Sequence, residues 1–209
     1  MSHGHPLFAR VYARTSRLME PGLGAHRRAL LDGLSGRVIE VGAGNGLNFP
    51  HYPEPVTEVI AVEPEPHLRA LAETCAAAVP VPIKVVDGVA DALPADDASC
   101  DAAVACLVLC TVPDQGRALA EIRRVLRPGG RLRFLEHVQA ASPGRRRAQK
   151  ALDATVWPLF GGGCHCGRDT RTAIERAGFG IDRIDHLTSA DTRIPFPASP
   201  QILGTATPR

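Results

Sequence analysis

From about residue 36 onward the chain alternates between two hydrophobic periods. Residues 37–41 (RVIEV) and 58–62 (EVIAV) are short apolar runs, the pattern of buried strands. Over 66–78, Leu68, Leu71, Ala72 and Cys75 fall on one helical face. Residues 83–86 predict a third strand, and 102–110, apolar throughout, a fourth covered on both faces. Residues 114–126 predict a helix that turns Leu119, Ile122, Val125 and Leu126 inward. Pro128-Gly129-Gly130 stops it, and 131–138 is a fifth strand. Strand alternating with helix argues for a parallel sheet with right-handed crossovers and helices on both faces. Beyond 138 the pattern predicts helices over 148–160 and 169–177 and final strands over 179–187 and 201–206. Residues 7–32 predict a helix packed over the sheet edge or the site. The expected class is α/β, a Rossmann-like doubly wound sheet of about seven strands, mostly parallel, with an N-terminal helical cap.

With 209 residues, one domain is expected: a helical cap over 1–36, a cofactor-binding core over 37–138, and acceptor-side helices and strands over 139–209. A formal net charge of +2 and 4% aromatic residues disfavour a nucleic-acid partner. No stretch of 18 apolar residues occurs and the first 20 residues lack the apolar core of a signal peptide, so no stable membrane insertion is expected. The six cysteines show no CxxC spacing, and a reducing cytoplasm is the expected compartment. Arg145-Arg146-Arg147 with Lys150 reads as a solvated helix face.

The first strand runs into Glu40-Val41-Gly42-Ala43-Gly44-Asn45-Gly46. Glycines here let the backbone approach a ligand outside the carboxyl ends of the strands. The pattern is G-x-G-x-G; position 47 is Leu, so the dinucleotide fingerprint is not met and a nicotinamide dehydrogenase is disfavoured. Glu63, followed by Pro64, ends the second strand about 20 residues on, where an acid can accept both ribose hydroxyls.

These motifs resemble the class I S-adenosylmethionine-dependent methyltransferases, as do Leu93-Pro94 and Leu126-Arg127-Pro128-Gly129-Gly130. The resemblance implies S-adenosylmethionine as donor and S-adenosylhomocysteine as product. It implies Glu40, Gly42, Gly44, Asn45 and Gly46 around the methionine and ribose, with Glu63 and Pro64 at the ribose. Gly88, Val89 and Ala90 would flank the adenine, and Cys106 and Leu107 would close over the methionine. Residues 107–112, 123–130 and Glu136-His137-Val138 are similar to the methyltransferase-like 7 family of thiol S-methyltransferases. So are Asn48-Phe49, Tyr52-Pro53, Gly163-Cys164, Arg168-Asp169-Thr170 and Ile202-Leu203-Gly204. That places Asn48 in the donor site too. Animal members carry an apolar N-terminal membrane anchor that residues 1–20 do not show. His165-Cys166-Gly167 departs from the family pattern.

Methyl transfer from a sulfonium is an in-line displacement, so the protein mainly positions the reactants and excludes water. A thiol with a pKa near 8.5 needs the least help to lose its proton. His137, ending the fifth strand, is the first candidate to assist. Arg168 and Asp169, opening the following helix, are the next, although Asp169 also suits a helix cap. Tyr12 on the N-terminal helix is a candidate cap over the donor. Trp157, Phe160, Cys164 and His165 suit an apolar acceptor wall. No metal is expected, because Cys164-His165-Cys166, even with His137, lacks a clear second ligand pair; Cys106 and Cys110 read as packing residues. The expected acceptor is a small apolar thiol. Alternatives are an oxygen or carbon of a quinone or polyketide-like metabolite, or a non-catalytic cofactor-binding module.

Overall fold

The computed structural model describes residues 6–209. A seven-stranded sheet with the order β3-β2-β1-β4-β5-β7-β6 forms its centre. The strands are β1 (Gly36–Val41), β2 (Val56–Val62), β3 (Ile83–Val86), β4 (Cys100–Cys106), β5 (Leu126–His137), β6 (Phe179–Leu187) and β7 (Gln201–Pro208). β1 to β5 pair in parallel, while β7 runs antiparallel to both β5 and β6. The strand order reverses between β1 and β4, the crevice where open α/β sheets bind ligands.

The helices are α1 (Pro6–Leu31), α2 (Pro66–Ala76), α3 (Gln115–Val125), α4 (Pro143–Asp153), α5 (Trp157–Phe160), α6 (Thr170–Arg176) and α7 (Ser189–Thr192). Two apolar layers lie against the sheet. One holds Leu23, Leu30 and Leu31 of α1 with Val38, Val59 and Val104. The other holds Leu119, Ile122 and Val125 of α3 with Ile39, Ile60 and Leu132. Alternate residues of the same strands thus point to opposite layers, which is why their sequences are continuously apolar.

Three boundaries differ from the sequence expectation. β4 ends at Cys106 rather than 110, because Leu107 takes φ +57 and turns the chain out of the sheet. β5 begins at Leu126, ahead of Pro128-Gly129-Gly130, because Leu126 is already extended and pairs with Cys100, with a register shift before Ala102. The helix expected over 148–160 is divided. Ser142 accepts from Arg145 N–H and caps α4, which starts at Pro143; the chain leaves the helix after Asp153, and α5 restarts with Pro158 near its start.

Among the described residues, no helix is long and apolar enough to cross a membrane.

Candidate active site

The turn after β1 is built by glycines in a conformation that other residues resist. Gly42, Gly44 and Gly46 have φ of +70, +57 and +80. A Cβ on Gly42 would lie 2.5 Å from Val108 Cγ2, so this turn and the one after β4 are in direct contact. Glu63, at the end of β2, accepts from Gly44 N–H (2.7 Å) with one carboxylate oxygen and from Glu65 N–H (2.9 Å) with the other. Burial raises its pKa. Two backbone donors leave further lone pairs on those oxygens, which suits the hydroxyls of a ribose. The glycine turn and this acid fit S-adenosylmethionine.

α1 closes over this turn. Tyr12 sits beside Gly44, 3.5 Å from where a Cβ there would be, and burial pushes its phenol up to about 12. Asn45 donates to Ser16 Oγ of the same helix (3.1 Å). Arg27, buried on the inner side of α1, donates to Glu20 (3.1 Å), Asn48 Oδ1 (2.9 Å) and Cys106 Sγ (3.2 Å). Nothing in the sequence marks Arg27 beyond a basic residue close to the apolar positions Leu23, Leu30 and Leu31.

Glu40 lies below the turn. It accepts from Asn48 Nδ2 (2.8 Å) and Tyr52 Oη (2.7 Å), and burial raises its pKa to about 7. The Asn48-Phe49 and Tyr52-Pro53 pairs carry this network; sequence reading noticed them without assigning Tyr52 a partner. Pro64 O and Glu63 O accept from Arg69, which fixes the chain after the acid. Gly88, Val89 and Ala90 follow β3 in a half-buried loop, with Gly88 packed against Val62 and Pro94.

The second half of the site lies at the ends of β4 and β5. The left-handed Leu107 directs the next three amides inward, and Glu136 accepts from Val108 (2.9 Å), Leu109 (2.9 Å) and Cys110 (3.4 Å). Three donors on one fully buried carboxylate lock this turn; burial nonetheless raises Glu136 to about 7. The sequence names Glu136 only within the Glu136-His137-Val138 resemblance and assigns it no role of its own. Cys106 is buried beside Arg27, and burial pushes its thiol up to about 11.

His137 is half-buried, and its Nδ1 lies 3.4 Å from Cys110 Sγ and 3.4 Å from Cys164 Sγ. His165 N–H donates to Cys110 O (2.8 Å), which lays the 161–166 loop on the turn after β4. Cys164 Sγ also lies 3.6 Å from Cys166 Sγ. Hydrogen bonds from the thiols of Cys110 and Cys166, then His137, hold Cys164 well below the usual thiol range. Giving their hydrogens to Cys164 raises Cys110 and Cys166 in turn. Cys110, read from sequence as packing, is buried in an apolar layer and also lies beside His137 and Cys164. His165 itself bonds back to Gly163 O (2.7 Å). Trp157 packs against the apolar layer holding Cys106, Cys110 and Cys164; the Phe160 side chain lies outside the described residues.

Arg168 and Asp169, two of the three residues read as catalytic, are engaged elsewhere. Arg168 Nη1 donates to the carbonyls of Leu109 (2.8 Å) and Val112 (2.6 Å), bracing the turn after β4 from behind. Asp169 is the N-cap of α6, accepting from Thr172 N–H (3.2 Å). Both line an open surface depression of about 620 Å³ between α3 and α6, whose lining does not include His137. Both engage backbone groups here; of the three, His137 is the one that lies beside the thiols.

A methyltransferase-domain family model matches residues 39–134. The chain is 37% identical over 163 residues to human thiol S-methyltransferase TMT1A, covering 74% of this chain and 65% of that protein. It is 37% identical over 184 residues to mouse TMT1B (84% and 73%) and 33% identical over 214 residues to rat TMT1B (96% and 84%). Among solved structures, geranyl diphosphate C-methyltransferase from Streptomyces coelicolor superposes with a TM-score of 0.71 at 16% identity (89% and 78% covered). An S-adenosylmethionine-dependent methyltransferase from Thermotoga maritima gives 0.65 at 21% (97% and 100%). At such identities these two speak for the fold alone.

Proposed function

Because the chain belongs to the class I S-adenosylmethionine-dependent methyltransferases and, within them, to the family of the TMT1 thiol S-methyltransferases, we propose that it methylates the sulfur of a small, largely apolar thiol. The bound donor supplies a methyl group on a positively charged sulfur, which leaves as a neutral thioether. The rest falls to this chain. Gly42, Gly44 and Gly46 admit the donor backbone-close, and Glu63 accepts its ribose hydroxyls. Gly88, Val89 and Ala90 flank the adenine. α1, through Tyr12, Asn45 and Arg27, covers the turn and keeps water out. Cys106 and Leu107 form the wall at the methionine end. The six free cysteines suit a reducing compartment, and we place the protein in the cytoplasm.

The observation that carries the sulfur assignment is the grouping of His137 with Cys110 and Cys164 beside the donor turn. Glu136, which precedes His137 on β5, is buried and already accepts from three amides, so it is poorly placed to draw a proton from an alcohol. The protein's own side chains there therefore offer only mild help with deprotonation, and a thiol needs the least.

The test is a methyl-transfer assay with labelled donor and matched panels of apolar thiols, phenols and quinones, read by mass spectrometry. Thiols are expected to be the preferred acceptors; a steady preference for phenols or quinones over every thiol would reject the assignment. His137→Ala is expected to lower kcat on a thiol by about 10–100-fold. That loss should shrink as pH rises and the thiolate forms unaided.

A further inference from the structure

We propose that Cys110, His137 and Cys164 form a three-ligand zinc site whose open fourth position takes the sulfur of the acceptor thiol. The assignment of the fourth position rests on the thiol reading above; the three protein ligands do not.

The sequence argues against a metal, because Cys164-His165-Cys166 has no second pair nearby. The fold supplies the missing ligand from 54 residues upstream. Cys110 Sγ, His137 Nδ1 and Cys164 Sγ all lie within 4.8 Å of one another, and both nitrogen–sulfur separations are 3.4 Å. A tetrahedral zinc with metal–sulfur near 2.3 Å and metal–nitrogen near 2.05 Å holds sulfur and nitrogen about 3.5 Å apart. The observed edges need only a small expansion to admit the ion. Thiolates and imidazole are also the donors that favour zinc among common divalent ions.

Three separate elements hold these ligands in place. Cys110 sits on the turn that Glu136 locks, and its carbonyl accepts from His165 N–H. His137 ends β5, where its carbonyl accepts from Thr170 Oγ1 (3.0 Å). Cys164 is fixed by its own N–H to Gly161 O (3.1 Å). Ligands so constrained before binding form a site without reorganising the chain.

Charge favours the same reading. Two thiolates balance a divalent cation, so the protein-bound ion is neutral overall in surroundings where Cys110 and Cys164 are buried. Cys166 is 3.6 Å from Cys164 but stands outside the group of ligand atoms mutually in reach, which leaves three protein ligands and one open corner, the arrangement of a reactive rather than a structural zinc. The turn that carries Cys110 touches the donor turn, where Val108 packs on Gly42, and the proposed corner opens toward that crevice. Hydroxide on the metal takes the acceptor thiol's proton and leaves as water, and the sulfur replaces it as a zinc-bound thiolate. No oxidant or reductant is involved.

The test is metal analysis of the full chain, expressed with zinc and purified without chelator. About one zinc per chain is expected. Cys110→Ser, Cys164→Ser and His137→Ala should each lose it, while His165→Asn and Cys166→Ser keep it. Should a ligand variant misfold, the wild type loaded with cobalt(II) gives the same answer: an intense thiolate-to-cobalt absorption band is expected, shifting when benzenethiol is added without donor. A zinc-free wild type overturns the site, as does zinc retained in both serine variants. Zinc lost in Cys166→Ser makes the site a closed four-ligand one and overturns the open corner. Metal-free protein that methylates thiols at the full rate overturns the acceptor's place on the zinc and leaves the proposed function standing. Zinc-loaded protein that methylates only phenols, with no thiol shift of the cobalt band, rejects the proposed function and the open corner together while the three-ligand site survives.

Discussion

At the scale of single residues, the two buried acids flanking the glycine turn do different work. Glu63 spends one hydrogen bond per oxygen on Gly44 and Glu65 and keeps capacity for a ligand. Glu63→Ala is expected to weaken S-adenosylmethionine binding by about 1–3 kcal/mol, through lost ribose contacts and a loosened Gly44 amide. Calorimetry showing unchanged affinity would remove Glu63 from the donor site. Glu40 is engaged by Asn48 and Tyr52, and its pKa near 7 lies above the value it has in the unfolded chain. Between those two values the folded state keeps a proton that the unfolded state has lost. Its contribution to stability is therefore full below about pH 4 and falls as pH rises toward 7. Denaturant titrations from pH 5 to 8 should show that decline in the wild type and a flatter profile in Glu40→Gln; parallel profiles would assign the decline to other groups. That Glu63 stands against the glycine turn is legible in the sequence, because its distance from the glycines is set by one strand–turn–strand unit. The bracing by Arg168 and the capping by Asp169 are not, since a side chain's choice between a ligand and a neighbouring carbonyl depends on which carbonyl the fold brings near.

At the scale of elements, α1 shows how far packing overrides local preference. It contains Pro21 and Gly22, both poor in a helix interior. Gly22 serves a close approach: a Cβ there would overlap Thr192 O of α7. The helix is secured by Leu23, Leu30 and Leu31 in the core and by Arg27 reaching Glu20, Asn48 and Cys106. Arg27→Ala should cost about 2–4 kcal/mol, because the buried Asn48 and Cys106 lose their donor. Because those partners adjoin the site, weaker donor binding and faster proteolysis within α1 should accompany the loss. Unchanged cleavage alongside an unchanged denaturation midpoint would mean the apolar contacts alone hold the helix. Sequence periodicity located α1 within a residue or two; that its inner face carries a cation across the donor turn depends on where β4 ends.

At the scale of the whole molecule, donor binding and stability are linked, because the crevice draws on β1, β2, β4 and α1 together. S-adenosylmethionine at 100 times its Kd should stabilise the fold by about 2.7 kcal/mol. For a chain of this length that is a rise in Tm of roughly 5–10 °C. Hydrogen exchange in α1 should slow at the same time; a rise in Tm with unchanged exchange there would deny α1 its covering role. The sequence by itself determined the parallel core, since continuously apolar runs alternating with amphipathic helices have few other ways to bury both faces. It also determined the glycine turn proposed for the donor, because Gly42, Gly44, Gly46 and Glu63 are local to two consecutive strands. Only the tertiary structure brings together the groups proposed for the acceptor side. Cys110, His137 and Cys164 come from three distant segments, and whether such residues are packing or chemistry depends on the separations between them, which no local pattern encodes.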